Sequence, residues 1–519
     1  MKPKKGTSTA FNGVVILTLA LIVVKVLSAI YRVPYQNILG DEGLYAYQQI
    51  YPIVALGVIL TMNAIPSAVT QLFGSDGESW QYTRVLMHVQ LIGAVFFLIL
   101  LLCAKWVAWL MGDVELAPML RAASFSFLFI GVLGVYRGYY QTQQNMNIPA
   151  ISQVIEQFVR VGLILIAIVL FVTQNWSLYE AGTLAILGSA VGFLASSMYL
   201  IINKPFRIDM GRTQIKDSST LSPIAWRKLA LAIIVFAVSQ LIVIVWQVID
   251  SFTVIHALQD AGMSFQASAT QKGIYDRGAS FIQMGLIVTT TFCFVLIPLL
   301  TEAIRNRNQV RVNRYANASI KITMLFSVAA GIGLINLLPI MNGVFFKNDS
   351  QTGTLSVYML TVIFVSLIMM DIALLQVKHK VRAIMVAFLI GVISKALLNI
   401  LLIPHWLMLG GSISTVVSLM IFTTLLHYQV LKYYQFQNML KFVFKLMATM
   451  AMLTIAVQSM MWLLPTQGRM TGLVELVIAA SVGIAVVVIA IVRTQLLGYK
   501  ELKHLPFGDK LIHMKRGKL

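Results

Sequence analysis

The stretch QTQQNMNIPAISQVIEQFVR runs from 141 to 160, and QVKHKVRAIMVAFLIGVISK runs from 376 to 395. Each begins with Gln at the polar end of a helix pair. Each sets a basic residue 19 positions later, Arg160 or Lys395, in the middle of the next apolar run. The two stretches are offset by 235 residues, and a second echo, Ile65-Pro66 against Ile297-Pro298, is offset by 232. Two nearly equal offsets predict a duplication of about six helices. Six is even, so both copies keep one orientation. They are expected to be related by an axis along the membrane normal, with a cavity between the two bundles.

The apolar background of these stretches extends over the whole chain. Of 519 residues, 58% are hydrophobic and 11% charged, with mean hydropathy +0.83. A soluble protein would carry about 25% charged residues. The composition is that of an all-α integral membrane protein. Cys103 and Cys293 both sit inside apolar runs, which argues against a disulfide framework or a cysteine metal site.

A bilayer-crossing helix needs about 20 apolar residues. Such segments lie at 11–31, 44–72, 84–106, 119–141, 150–173, 180–202, 229–251, 279–301, 315–341, 355–377, 383–403, 407–431, 441–464 and 470–492, fourteen in all. Lys25 interrupts the first and thirteen more follow, so it reads as an uncleaved helix. With the N-terminus inside, 28 of the 39 basic residues fall on cytoplasmic connections and 6 on outer ones. That asymmetry predicts cytoplasmic termini in a bacterial cytoplasmic membrane. It also accounts for most of the net charge of +20 without a nucleic-acid partner. The expected organisation is an N-lobe at 1–203, a linker at 204–228 and a C-lobe at 229–431. Two further helices at 432–492 and a basic tail at 493–519 follow.

No stretch outside the membrane is long enough to fold as a domain, and no GxxxxGK[ST] loop is present, so the chain houses no ATPase. The seven histidines show no HExxH or paired spacing, and no nucleophile motif appears. No enzyme, metal or cofactor is expected. Transport would draw on an ion gradient, the membrane potential or the substrate's own gradient.

Ionisable residues inside spans cost several kcal/mol unless paired or hydrated, so each is a candidate for function. Lys25 has no acid three or four positions away on its own helix and is expected to line the cavity. Arg160 and Lys395 lie near mid-span. Glu156 stands four residues before Arg160, which leaves a structural ion pair and a substrate site both open. Arg32 and Arg277 sit at outer helix ends, where anchor and site are equally open. Lys321 reads as snorkelling to the surface. Asp250 and Asp371, with Glu156, are candidates for ion coupling. Tyr45, Tyr47 and Tyr51 read as belt aromatics. Deep basic residues outnumber deep acids, which suits an anionic substrate.

Three segments carry a resemblance: KGIYDRGASFIQMG (272–285), YRGYYQTQQNMNIPAISQVIEQFVR (136–160) and KVLSAIYRVPYQNILGDEGLYAYQQIYP (25–52). Over essentially its whole length the chain resembles the polysaccharide-exporter branch of the MOP superfamily. Within it, the chain looks most like the Gram-positive MurJ and stage V sporulation protein B group. The resemblance implies the MOP/MATE-like fold, with two six-helix lobes and a tail groove at the last two helices. It implies a flippase for a lipid-linked cell-wall precursor, with lipid II, an undecaprenyl-diphosphate-linked sugar, as its cargo in peptidoglycan biosynthesis. Alternatives are a teichoic-acid or capsular precursor, and, further off, a cation-coupled multidrug exporter. By that resemblance Lys25, Arg32 and Arg277, with Asp276 beside it, contact the diphosphate, and Gly273 and Gly278 let the chain turn into the helix. The partners implied are the lipid-linked substrate, membrane lipids, and a coupling cation or the membrane potential.

Overall fold

The computed structural model describes residues 31–74, 77–203, 206, 224–293, 296–464, 468–494 and 496–498. The expected first helix and Lys25 lie outside the described residues. The described residues form α1 (Arg32–Phe73), α2 (Ser79–Leu110), α3 (Val114–Thr142), α4 (Asn147–Thr173), α5 (Leu178–Ile202) and α6 (Trp226–Asp260). They continue with α7 (Phe265–Cys293), α8 (Ile297–Arg305), α9 (Gln309–Phe346) and α10 (Thr352–Val377). Last come α11 (Val381–Leu431), α12 (Met439–Leu463) and α13 (Arg469–Arg493). Eleven of these are long and apolar enough to span a bilayer. The shortfall from fourteen has physical sources. The first expected span is not described, two expected spans are joined as α11, and the segment expected at 279–301 is divided between α7 and α8.

Proline and local backbone geometry set these breaks. Pro66 has no N–H to return to the preceding turn, and the helix widens into a π-turn at Leu60–Ala64 just before it. Its counterpart Pro298 stands in the first turn of α8. The echoed Ile-Pro pair therefore marks a helix irregularity in both copies. In α11, Pro404 precedes a break at Leu407, whose φ of 50° is far from helical. Elsewhere polar caps start the helices. Ser177 and Glu180 bond reciprocally at the head of α5, and Glu78 and Gln81 do so before α2.

The described residues divide into two compact units, those within 1–259 and 263–273, and those within 260–262 and 274–519. Helix α6, assigned to the C-lobe by the sequence pattern, packs with the first unit. Its Leu229 joins a core with Ile65, Val69, Tyr82 and Val85. Farther along α6, Ser251 exchanges two hydrogen bonds with Gln49 of α1, at 3.0 and 3.1 Å. Helix α2 shows the opposite habit and exposes Leu91, Phe96, Ile99 and Leu102 in a continuous apolar surface. Leu102 is 80% exposed, a placement suited to lipid rather than water.

The KGIYDRG stretch is not a turn. Helix α7 begins at Phe265 and runs through it, so Gly273 and Gly278 are interior helical residues. The reason for Gly273 is close approach: a methyl group there would strike the carbonyl oxygen of Asp41 in α1. Lys272 of the same stretch is 3% exposed.

Candidate functional site

In the first unit the site is built on the two arms of α1. An unbroken α-helix would hold Tyr31 and Tyr47 about 24 Å apart, at 1.5 Å per residue. Gly40, with φ 74° and ψ −174°, breaks the helical path between them, in a region that side chains with a Cβ rarely enter. The arms fold back, and the Tyr31 and Tyr47 hydroxyls meet at 3.0 Å. Tyr35 packs on Tyr47 with ring centres 5.1 Å apart, and Tyr51 stacks on Tyr47 at 5.8 Å. These tyrosines are buried, so the belt reading of Tyr47 and Tyr51 is corrected. Tyr45 is buried too, against Phe265 and within reach of Asp113. The signal for the cage was the spacing of four within each pair, 31 with 35 and 47 with 51.

Two guanidinium groups enter this cage. Arg32 sets its Cζ 5.1 Å from the centre of Tyr51 and 6.0 Å from that of Tyr31. Arg160, from α4, sets its Cζ 5.0 and 5.9 Å from the same two rings. One Arg160 Nη donates to the Tyr47 hydroxyl at 3.4 Å. Both side chains are buried. Neither makes an ion pair among the described residues, and Arg32 Nε and Nη1 and Arg160 Nε have no acceptor there. Ring faces attract the cations but do not satisfy their N–H groups. Chemically this is a buried, doubly positive cluster with donors to spare, an arrangement suited to a phosphate or diphosphate.

Glu156 does not pair with Arg160, as the sequence spacing suggested. Its Oε2 is 2.8 Å from Nη2 of Arg137 in α3. Arg137 also donates to Ser152 Oγ at 3.0 Å, Ser196 Oγ at 2.9 Å and the Thr61 carbonyl at 3.4 Å. The sequence pattern counts Arg137, near the inner end of the span 119–141, among the cytoplasmic basic residues, whereas in the structure it is wholly buried. It ties α3, α4 and α5 to the π-turn of α1 one turn away from Arg160. Asp250 is buried in α6 of this unit.

The remaining candidates belong to the second unit. Arg277 is buried, donates through Nη1 to the Asn348 carbonyl at 3.3 Å and lies 5.5 Å above Phe346. Asp276 precedes it in α7 and is 7% exposed. Lys395 sends its ammonium to Asn399 Oδ1 at 3.0 Å, Ser414 Oγ at 3.1 Å and Thr415 Oγ1 at 2.7 Å. These contacts join the two halves of α11 across the break at Leu407. Asp371 Oδ1 meets His427 Nδ1 at 3.3 Å. Among the described residues no cluster of His, Cys, Asp or Glu is arranged to hold a metal.

Comparison with known proteins gives consistent matches. The family model described as polysaccharide biosynthesis protein matches residues 10–304. The uncharacterized membrane protein YabM of Bacillus subtilis is 31% identical over 513 residues, 96% of each chain. The lipid II flippase MurJ of the same organism is 24% identical over 514 residues, 92% of this chain and 94% of that one. Among solved structures, a lipid II flippase MurJ in an inward closed conformation superposes with TM-score 0.69 at 16% identity. That match covers 94% of this chain and all of that one.

Proposed function

Since this chain belongs to the polysaccharide biosynthesis protein family, a family of multi-pass membrane transporters related to MurJ, we propose that it flips a lipid-linked cell-wall precursor across the membrane. The precursor is lipid II, and the tyrosine cage holding Arg32 and Arg160 takes its diphosphate. The observation that carries this reading is the pair of buried guanidiniums with no carboxylate partner among the described residues. Burying an unpaired ion costs several kcal/mol, which an anionic ligand would offset. Bidentate Arg–phosphate bonds are the strong, directional kind.

Both termini lie in the cytoplasm, as the 28 to 6 split of basic residues supports. Movement follows alternating access. An inside-negative potential favours outward transfer of negative charge by roughly 2.3 kcal/mol per charge per 100 mV, so no ATPase domain is required. Lys25 and Arg277, with Asp276 positioning the latter, add further contacts to the cargo, and Asp250 and Asp371 are the acids through which a coupling cation would act.

The test is made in cells depleted of their own lipid II flippase. Wild-type protein should restore labelled lipid II at the outer leaflet. Arg32→Gln and Arg160→Gln should each lower that signal at least tenfold while the protein stays in the membrane. Restoration by the wild type of another polyprenyl-linked glycan instead of lipid II would reassign the cargo. Full activity of both variants would remove the cage from the mechanism.

A further inference from the structure

A second basic pocket lies in the second unit, where the N-terminal turns of α9 and α12 meet the residues that follow α13. Lys321 of α9 and Lys441 and Lys445 of α12 line it, with the amides of Asn317, Gln437 and Asn438. Its volume is about 390 Å³, and no carboxylate lines it among the described residues. Lys321, expected to snorkel to the surface, is instead 8% exposed. Lys445 donates to the Thr494 carbonyl at 2.8 Å and so fixes the end of α13 against the pocket.

An apolar groove of about 640 Å³ adjoins it, walled by α7, α9, α12 and α13. Phe326 of the groove lies five residues beyond Lys321, roughly 7.5 Å along α9. Ile491 of the groove lies five residues before Leu496 of the pocket. Phe442, Leu446, Leu453 and Val457 of α12 join Ile491 and Leu496 in one continuous core that runs from pocket to groove.

We propose that Lys321, Lys441 and Lys445 form a loading site, separate from the tyrosine cage, for the diphosphate of a long-chain isoprenoid lipid; the adjoining groove is where the family resemblance already places the tail. The charge selects this occupant. Three ammonium groups match a diphosphate, whereas a phospholipid diester brings a single negative charge. The proposal extends the transport reading above. On the orientation given there, the pocket faces the leaflet where the precursor is made.

The experiment uses the full-length protein in nanodiscs of neutral lipid, with R32Q/R160Q as background so that the tyrosine cage is removed from the measurement. The probes are undecaprenyl diphosphate, phosphatidylglycerol and inorganic pyrophosphate, with binding read by native mass spectrometry. The background variant should retain one undecaprenyl diphosphate. Adding K321Q/K441Q/K445Q should weaken that binding at least tenfold, and K321R/K441R/K445R should restore it. Unchanged binding in the triple Gln variant overturns the proposal, as does failure of the background to bind. Equal binding of phosphatidylglycerol overturns the choice of diphosphate. Equal binding of inorganic pyrophosphate reduces the pocket to a general anion site. Lysine-dependent binding of undecaprenyl diphosphate together with full transport by R32Q/R160Q would leave this site standing and remove the cage.

Discussion

Arg32 and Arg160 come from different helices, yet their guanidinium carbons lie 5.1 and 5.0 Å from the centre of one ring, that of Tyr51. Two like charges thus share one aromatic neighbour with no acid paired to either among the described residues. The arrangement resists folding and favours an anion.

That tension gives the first prediction. Arg160→Gln should raise the thermal stability of the substrate-free protein, by about 1–3 kcal/mol, because it removes one of two buried like charges. The same change should reduce stabilisation by a polyprenyl diphosphate and leave only the share contributed by the lysine pocket of the second unit. Tyr51→Phe keeps the ring face and should retain most transport. Tyr51→Leu loses cation–π attraction of about 0.5–2 kcal/mol per guanidinium and should not. Melting curves with and without ligand check Arg160→Gln, and the lipid II transport assay checks the two Tyr51 variants; a destabilised ligand-free Arg160→Gln would count against the cage as a strained anion site.

The buried pair beside the cage predicts the reverse. Arg137 and Glu156 meet at 2.8 Å with both side chains out of solvent. Removing one partner leaves the other charged and unpaired, at about 3–5 kcal/mol. Arg137→Met and Glu156→Gln should each cut the yield of folded protein severely. The double variant should be less damaged than the sum, and a double-mutant cycle measures that coupling. Simple additivity would mean the two side chains do not act as a pair.

These two sites also show where sequence reading stops. The helices from residue 44 onward were legible because long apolar runs admit no other structure in a bilayer. Arg160 stood out because charge inside such a run is costly, whereas Arg32, at an outer helix end, was left open between anchor and site. Spacing along one helix, however, reveals only partners three or four residues away. It therefore offered Arg160 to Glu156, whereas Arg137 arrives from another helix, 19 residues earlier. The tyrosine cage was hidden by a single backbone conformation. Nothing in LGDEG announces that Gly40 takes a positive φ, and without that bend Tyr31 and Tyr47 are far apart. KGIYDRG misled in the opposite sense. Its glycines resemble turn signals, but Gly273 serves the packing of α7 on α1.

Gly273 and Gly40 therefore call for different outcomes from the same substitution. At Gly273 the added methyl meets the Asp41 carbonyl, which belongs to the backbone and cannot rotate away. Overpacking of this kind costs about 1–3 kcal/mol or more. Gly40→Ala meets nothing within 4 Å, and its penalty comes only from the backbone pair φ 74°, ψ −174°, a region essentially reserved for glycine, at about 1–3 kcal/mol. Gly273→Ala should be the more damaging in thermal unfolding. Gly40→Asn should be no better than Gly40→Ala, since Asn tolerates the left-handed helical region and not this extended one, where ψ is −174°.

The pH dependence of stability has one clear source outside the spanning helices. Asp113 lies between α2 and α3, where burial pushes its carboxyl above the ordinary carboxylate range. The Tyr179 hydroxyl, donating at 2.9 Å, and the Glu115 amide offset that only in part. In the window between the unfolded value and the raised folded value, the folded protein holds a proton that the unfolded chain has released. Stability contributed by this group is therefore full below the unfolded value and is lost as pH rises through the folded one. Asp113→Asn keeps an oxygen acceptor for Tyr179 but cannot ionise. Its melting temperature should fall less than that of the wild type between mildly acidic and neutral pH. Parallel pH profiles for the two proteins would show that Asp113 does not titrate with folding.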